Sequence, residues 1–240
     1  MKILILGYGK MGKTIEGIAI NRNHSVPYKI DFHNQQDLQK VKSGDADVAI
    51  EFSQPESAYS NIKYCLENNI PIVSGTTGWL DKKKELDEIC LKNGGAFFYA
   101  SNYSVGVNLF FHFNQILAKI MSNYPDYDVR MEEIHHTEKK DAPSGTAITL
   151  AEGILGNLPS KQKWVNEEAK SGIDLSIISK RIENVPGTHT INYNSAVDSI
   201  EIKHTAHTRQ GFAEGAVIAA EWIQGKSGIF GMNDMLKINY

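Results

Sequence analysis

The chain has 240 residues, enough for one large domain or two small ones, and its 41% hydrophobic content supports a real core. Its 25 Lys and Arg against 28 Asp and Glu leave a net charge of −3, so no basic field exists for nucleic acid or a membrane surface, and an anionic substrate must be met by local positive groups. Two cysteines with no CxxC fit a reducing cytoplasm, and the four apolar residues after Met1-Lys2 are too few for a secretory or membrane-spanning segment.

Residues 3–6 are expected to form a buried first strand. Gly7-Tyr8-Gly9-Lys10-Met11-Gly12 follows, a complete GxGxxG, and Met11, Ile15, Ile18 and Ala19 then recur on one helical face. In that strand–turn–helix setting the glycines allow a tight turn and close approach of a pyrophosphate to a helix N-terminus. Residues 26–30 form a second strand, with Asp31 at its end, nineteen residues after Gly12, where a carboxylate accepts hydrogen bonds from ribose hydroxyls. The alternative is a plain βα turn with a surface Asp, and the setting favours dinucleotide binding.

Residues 48–52 form the next strand, and a helix opens at Ser53-Gln54-Pro55-Glu56 with capping-box spacing and Pro in its first turn. Residues 70–74 lead directly into Gly75-Thr76-Thr77-Gly78, at the strand end where open α/β sheets bind ligands. A helix over 81–93 stops at Asn93-Gly94-Gly95, a strand covers 96–100, and Ala100-Ser101-Asn102-Tyr103 ends it. Each of these two strand-end loops admits two readings, ligand loop or ordinary turn. Apolar strands alternating with helices give a Rossmann-type parallel sheet covered on both faces.

After about residue 104 the pattern changes. Helices are expected over 107–121 and 147–155, and strands over 129–135, 175–182, 189–193 and 199–206. Ile200, Ile202, His204 and Ala206 alternate with Glu201, Lys203 and Thr205, which predicts a half-solvated, mixed and largely antiparallel sheet in an α+β unit. A last helix over 212–223 returns to the first domain, so residues 1–104 and 209–240 form the dinucleotide-binding domain and 105–208 the second domain.

The densest chemistry lies in Glu132-Glu133-Ile134-His135-His136-Thr137-Glu138-Lys139-Lys140-Asp141-Ala142-Pro143-Ser144-Gly145-Thr146-Ala147. His135 and His136 end a strand, so their side chains leave on opposite faces, and which of them faces a substrate stays open. Ser144-Gly145-Thr146 starts a helix whose hydroxyls and free N–H groups make a carboxylate seat, while Lys139 supplies charge or a proton. A zinc site is not expected, since HExxH and a downstream PCxxC are both absent; nor is a serine nucleophile, since GxSxG is absent. An isolated His pair would be structural, but here a Lys and an anion seat follow at once.

The run His-His-x-x-Lys-x-Asp-Ala-Pro-Ser-Gly-Thr-Ala at 135–147 resembles the signature of the dihydrodipicolinate reductase family. The likeness extends to residues 75–78, 102–108, 185–188, Arg209 with Phe212-Ala213, and 228–236. It implies reduction of a cyclic dicarboxylate by NAD(P)H, with loss of water to give tetrahydrodipicolinate, in lysine and diaminopimelate synthesis. It also implies a substrate domain that builds a homotetramer through its sheet, and closure of the two domains. By the same resemblance His135 is the proton donor, Lys139 assists protonation and binds substrate, and His136, Ser144, Gly145 and Thr146 hold the dicarboxylate. The cofactor set is Gly7, Tyr8, Gly9, Lys10, Met11, Gly12, Asp31, Gly75, Thr76, Thr77, Ala100, Ser101, Asn102 and Tyr103.

The glycine loop and the stretch from Asp31 to Val48 are short for the family, and Phe32 stands where some members carry an arginine. Asp31 with Phe32 leads to an expected preference for NADH, with NADPH accepted through Lys10. The rivals are another nicotinamide reductase on this architecture and a non-catalytic NAD(H)-binding protein, and the intact His135/Lys139 set argues against the second.

Overall fold

Strand β1 (Lys2–Leu6) is fully buried from Ile3 onward, as a continuous apolar run must be when helices cover both faces of a parallel sheet. Next come α1 (Lys10–Asn21), β2 (Ser25–Ile30), β3 (Val48–Glu51), α2 (Pro55–Glu67), β4 (Ile72–Ser74), α3 (Lys83–Lys92) and β5 (Ala96–Tyr99). The chain continues through α4 (Val105–Met121), β6 (Asp128–His135), α5 (Gly145–Leu155), β7 (Lys163–Val165), β8 (Asp174–Arg181), β9 (Gly187–Asn194) and β10 (Ser199–Ala206). It ends with α6 (Gln210–Trp222), β11 (Gly228–Phe230) and α7 (Met232–Leu236). This computed structural model describes residues 1–208 and 210–238; Arg209, Asn239 and Tyr240, all within the range assigned above to the first domain, lie outside the described residues. The chain divides into two units, one of Met1–Val105 with Gln210–Tyr240 and one of Gly106–Arg209.

The first unit holds a parallel sheet in the order β11-β5-β4-β3-β1-β2. Period-2 alternation divides its core: Ile3, Ile5, Val48 and Ile50 meet Ile15 and Ala19 of α1 and the alanine-rich face of α6, while Leu4, Leu6 and Ala49 meet Ile62, Leu66 and Leu86. Glu221 on α6 bonds Arg22 at 2.6 Å and His24 at 2.7 Å, fixing the returning helix beside the end of α1. Winding reverses between β1 and β3, and the carboxyl ends of those strands form the switch point where such sheets bind ligands. The capping box expected at α2 does not form. Gln54 is the N-cap without a side-chain bond, because the Ser53 hydroxyl is drawn to the buried Glu51 carboxylate.

The second unit holds a sheet in the order β10-β9-β6-β8-β7. It is mixed: β10–β9 and β9–β6 are antiparallel, whereas β6–β8 and β8–β7 are parallel. The antiparallel ladders are the longer ones, so the sheet is mixed and largely antiparallel as expected, and its parallel part arises because α5 intervenes between β6 and β8 and returns the chain in the same direction. Val129, Met131, Leu175, Ile177, Ile191 and Tyr193 pack under Phe110 and Ala118 of α4 and under Leu150 and Ile154 of α5. Along that covered face all three central strands turn polar at the same end. Val129 and Met131 give way to Glu133 and His135, Leu175 and Ile177 to Ser179 and Arg181, and Tyr193 and Ile191 to His189 and Gly187. The register sets Glu133 opposite both Ser179 and His189, and His135 opposite Arg181. Among the described residues no helix is long and apolar enough to cross a membrane.

Candidate active site

In the first unit the glycine turn is demanded partly by internal packing. Gly7 has φ +95°, a Cβ there would lie 2.2 Å from the Phe52 carbonyl oxygen, and one on Gly12 would lie 2.3 Å from the Gly7 oxygen. Gly9 is different. Nothing lies within 4 Å of where its Cβ would sit, although it is the N-cap of α1 and makes no side-chain cap. The protein's own packing gives no reason for a third glycine, whereas close approach of a pyrophosphate to the free N–H groups of α1 does. Asp31 stands just past β2, its Oδ1 accepting from the His33 N–H at 2.8 Å and its N–H donating to Asn34 Oδ1 at 2.8 Å. Beside it the Phe32 ring is 93% exposed, and Lys10 and His33 are exposed as well.

The other strand-end loops gather around Phe52 and Glu51. A Cβ on Gly75 would lie 2.3 Å from the Phe52 ring. Glu51, fully buried at the end of β3, accepts from Ser53 N at 2.9 Å, Ser53 Oγ at 2.5 Å, Ser74 Oγ at 2.6 Å and Thr76 Oγ1 at 2.9 Å. Tyr103 is buried, packs its ring at a tilt against Phe52 and Phe98, and donates its hydroxyl to the Ser74 carbonyl at 2.7 Å. Of the expected cofactor set, Gly9, Lys10, Thr77 and Ser101 are exposed and Tyr8, Asp31, Gly75 and Asn102 half-buried. Met11 and Tyr8 pack against the core, Gly7 and Gly12 shape the turn, and the Thr76, Ala100 and Tyr103 side chains point inward and build the loops from behind.

The second unit brings His135, Ser144 and the Lys139 loop to the polar end of its sheet. Glu133 is fully buried at their centre. Its carboxylate accepts from Ser144 N at 3.1 and 3.2 Å and from Ser179 Oγ at 2.8 Å. His135 Nδ1 lies 3.3 Å from Glu133 Oε2, Arg181 Nη2 3.5 Å from Oε1 and His189 Nε2 3.8 Å from Oε2. Burial alone would push the Glu133 carboxyl up, but the hydrogen bonds from His135, Ser144 and Ser179 together outweigh it and hold the group well below the usual carboxylate range. Burial, reinforced by the nearby His135 charge, pushes His189 down to about 4, so it is neutral at physiological pH.

Ser144 is the N-cap of α5, its Oγ accepting from Ala147 N at 3.2 Å and lying 3.3 Å from His189 Nε2. The next N–H groups, of Gly145 and Thr146, point out of the helix start, where Gly145 has open space around it. Lys139 donates to both Asp141 oxygens at 2.8 Å, and this hydrogen bond holds the Asp141 carboxyl below its ordinary range. Arg181 clamps the loop by donating to the carbonyls of Lys139 at 3.4 Å and Asp141 at 2.6 Å. His136, next to His135, is half-buried. Glu133, Ser179, Arg181 and His189 were not singled out from the sequence. Each strand carried part of the signal, its alternating apolar positions becoming polar at one end, while the pairing that joins the strands is non-local.

Among the described residues, Glu133, His135 and His189 are a trio of metal-type side chains with donor atoms within 4.8 Å of one another. Hydrogens from Ser144 and Ser179 already occupy that carboxylate, and the two imidazoles approach it as charge contacts. A cavity of about 160 Å³ near the start of β6 is lined in part by Asp128, Arg130 and Lys161. Lys161 is spent there on Asp128 Oδ1 at 2.7 Å and the carbonyls of Gly172 and Asp174 at 2.8 and 3.1 Å.

Comparison with known proteins follows the same division. Residues 1–103 match the family model for the dihydrodipicolinate reductase N-terminus and residues 106–236 that for its C-terminus. The chain is 52% identical over 236 residues, 98% of each chain, to a 4-hydroxy-tetrahydrodipicolinate reductase of Christiangramia forsetii. It is 33% identical to the enzyme of that name from Neisseria meningitidis serogroup B, over 93% of this chain and 84% of the relative. The solved structure of a dipicolinate-bound dihydrodipicolinate reductase from Paenisporosarcina sp. TG-14 shares its fold, with a TM-score of 0.77 at 23% identity over 98% of this chain and 99% of that one.

Proposed function

The chain belongs to the dihydrodipicolinate reductase family, and from that premise we propose how its own residues carry the reaction. It is a nicotinamide-dependent oxidoreductase that converts 4-hydroxy-tetrahydrodipicolinate to tetrahydrodipicolinate in lysine and diaminopimelate synthesis. One hydride and one proton enter the ring and one water leaves. A bound dihydronicotinamide supplies the hydride. In this reading the N–H groups at Gly9 and Lys10 hold its pyrophosphate, Asp31 its ribose, and the loops at 75–77 and 100–103 the nicotinamide half.

The second unit supplies the rest. The start of α5, with Ser144, Gly145, Thr146 and His136, seats one substrate carboxylate, and Lys139 meets the other as it exchanges Asp141 for substrate. His135 gives its proton to the ring and recovers one from water. The observation that carries this reading is the polar end of the second sheet, where the donor, the seat and the clamped Lys139 loop meet on three strands in register. In a chain of net charge −3 it also offers Lys139 and helix-start N–H groups able to take a dicarboxylate.

NADH is the preferred cofactor in this reading, since Asp31 would repel a 2′-phosphate and Phe32 has no charge to offset it. The exposed, Ile200-bearing strand β10 is the surface through which four copies assemble, and the unpaired, buried Cys65 and Cys90 suit the cytoplasm. The test is loss of NADH absorbance with substrate generated in situ by its synthase. Oxidation that depends on substrate and is faster with NADH than NADPH by kcat/KM is expected. Faster turnover with NADPH would remove Asp31 from the ribose, and oxidation without substrate would overturn the reading.

A further inference from the structure

We propose that Glu133 is a positioning residue for the reduction: one carboxylate fixes the His135 imidazole through Nδ1 and the start of α5 through Ser144 N. The proton donor and the carboxylate seat are thereby held in one geometry. The proposal rests on the reading of His135 as the donor.

Burying a carboxylate completely costs several kcal/mol unless its partners restore what water gave. The same face of β6 carries Met131 and Val129 two and four residues earlier, so the fold alone would be served by another apolar side chain at 133. Its partners instead are the Ser144 N–H, the Ser179 hydroxyl, the Arg181 guanidinium and His135. The nitrogen of His135 that faces this ionised carboxylate is Nδ1, in a 3.3 Å charge contact. The other nitrogen, Nε2, is then the one that gives up and regains a proton. Gly187 keeps the space before it clear, since a Cβ there would lie 3.1 Å from Nε2. His189 completes the arrangement as a neutral ring between Ser144 Oγ and Glu133.

The charged and titratable groups facing this cluster are His135 on β6, Arg181 on β8, His189 on β9, His204 behind it on β10, and Lys139 with Asp141 on the loop. Among them Glu133 is the fully buried carboxylate. Removing its charge takes away the negative partner beside His135, so the limb of activity that falls with rising pH moves to lower pH.

The experiment compares pH profiles of kcat and KM for the full-length enzyme and its Glu133→Gln, Glu133→Asp and His135→Gln variants, with NADH Kd measured by fluorescence. For Glu133→Gln, kcat is expected to fall about 10²-fold or more, and its alkaline limb to move down by about 1–3 pH units, with NADH Kd within about twofold of wild type. Glu133→Asp keeps the charge one methylene further back, so kcat should fall about 10-fold with the limb unmoved. If Glu133→Gln does not fold, Glu133→Asp decides, and unchanged kcat and KM in that variant would overturn the proposal. A Glu133→Gln enzyme with the wild-type limb, beside a His135→Gln enzyme that loses it, would sink the positioning role alone. A His135→Gln enzyme that keeps both kcat and limb would instead remove the reading beneath it.

Discussion

Each unit buries one glutamate at the carboxyl end of a strand, and the surroundings of the two differ. Glu51 is met by neutral donors, two serine hydroxyls, a threonine hydroxyl and a backbone N–H, all from the loops that end β3 and β4. Glu133 is met by two neutral donors and also by two imidazoles and a guanidinium. The first carboxylate ties loops together and, in the proposed reading, leaves their outer surface to a cofactor. The second, in the same reading, ties together the proton donor and the groups that meet substrate charge. A buried acid is thus informative about function through the company it keeps, since neutral hydroxyls make it a knot and titratable bases make it part of a mechanism.

The sharpest way to break this contrast is to remove the knot. Glu51→Ala leaves the buried Ser74 and Thr76 donors and the half-buried Ser53 without their acceptor, at about 1–3 kcal/mol each where water does not reach. Urea denaturation is expected to show a loss of roughly 3–5 kcal/mol, with NADH binding weakened in the folded fraction. Stability within about 1 kcal/mol of wild type would mean that the loops do not depend on Glu51.

A somewhat smaller effect separates the units by pH. His189 is pushed from 6.5 down to about 4, so the unfolded chain takes up a proton that the folded one refuses between those values. Its contribution is present in full above pH 6.5 and is lost as pH falls toward 4, roughly 3 kcal/mol over that window. The depressed Glu133 carboxyl contributes above its ordinary value of 4.5 and loses that support only at more acid pH. Urea midpoints measured from pH 7 to 4 should fall for the wild type and fall less for His189→Asn, while Glu51→Ala keeps the wild-type slope. A His189→Asn slope equal to wild type would show that the ring is not held neutral.

The smallest effect concerns cofactor choice in the first unit. Phe32→Arg places a guanidinium beside Asp31 and is expected to move kcat/KM several-fold toward NADPH, while Lys10→Ala moves it toward NADH. No change in the ratio for either variant would place the adenosine ribose elsewhere.

The first unit was legible in the sequence because its signals are local. A glycine motif, an acid at a fixed distance and apolar runs of strand length each lie within a few residues. The expected capping box at Ser53 failed because the competing acceptor, Glu51, is identified only by its complete burial. In the second unit the helix start at Ser144 and the His135 pair were legible, whereas Glu133, Ser179, Arg181 and His189 were not. Their meeting depends on the register of β6 with β8 and β9, a pairing between residues 46 to 56 positions apart that no local pattern encodes. The short strands β7 and β11, three residues each, carry too little periodicity to be found.

The division of labour between the two units is tested most directly by Lys139→Ala, assayed for kcat with saturating substrate and for NADH Kd by titration. Lys139 sits on the clamped loop of the second unit, and the glycine turn belongs to the first. The expected result is a kcat lower by about 10²-fold or more with NADH Kd changed by less than about twofold. An unchanged kcat, or a weakening of NADH binding in proportion to the lost turnover, would contradict it.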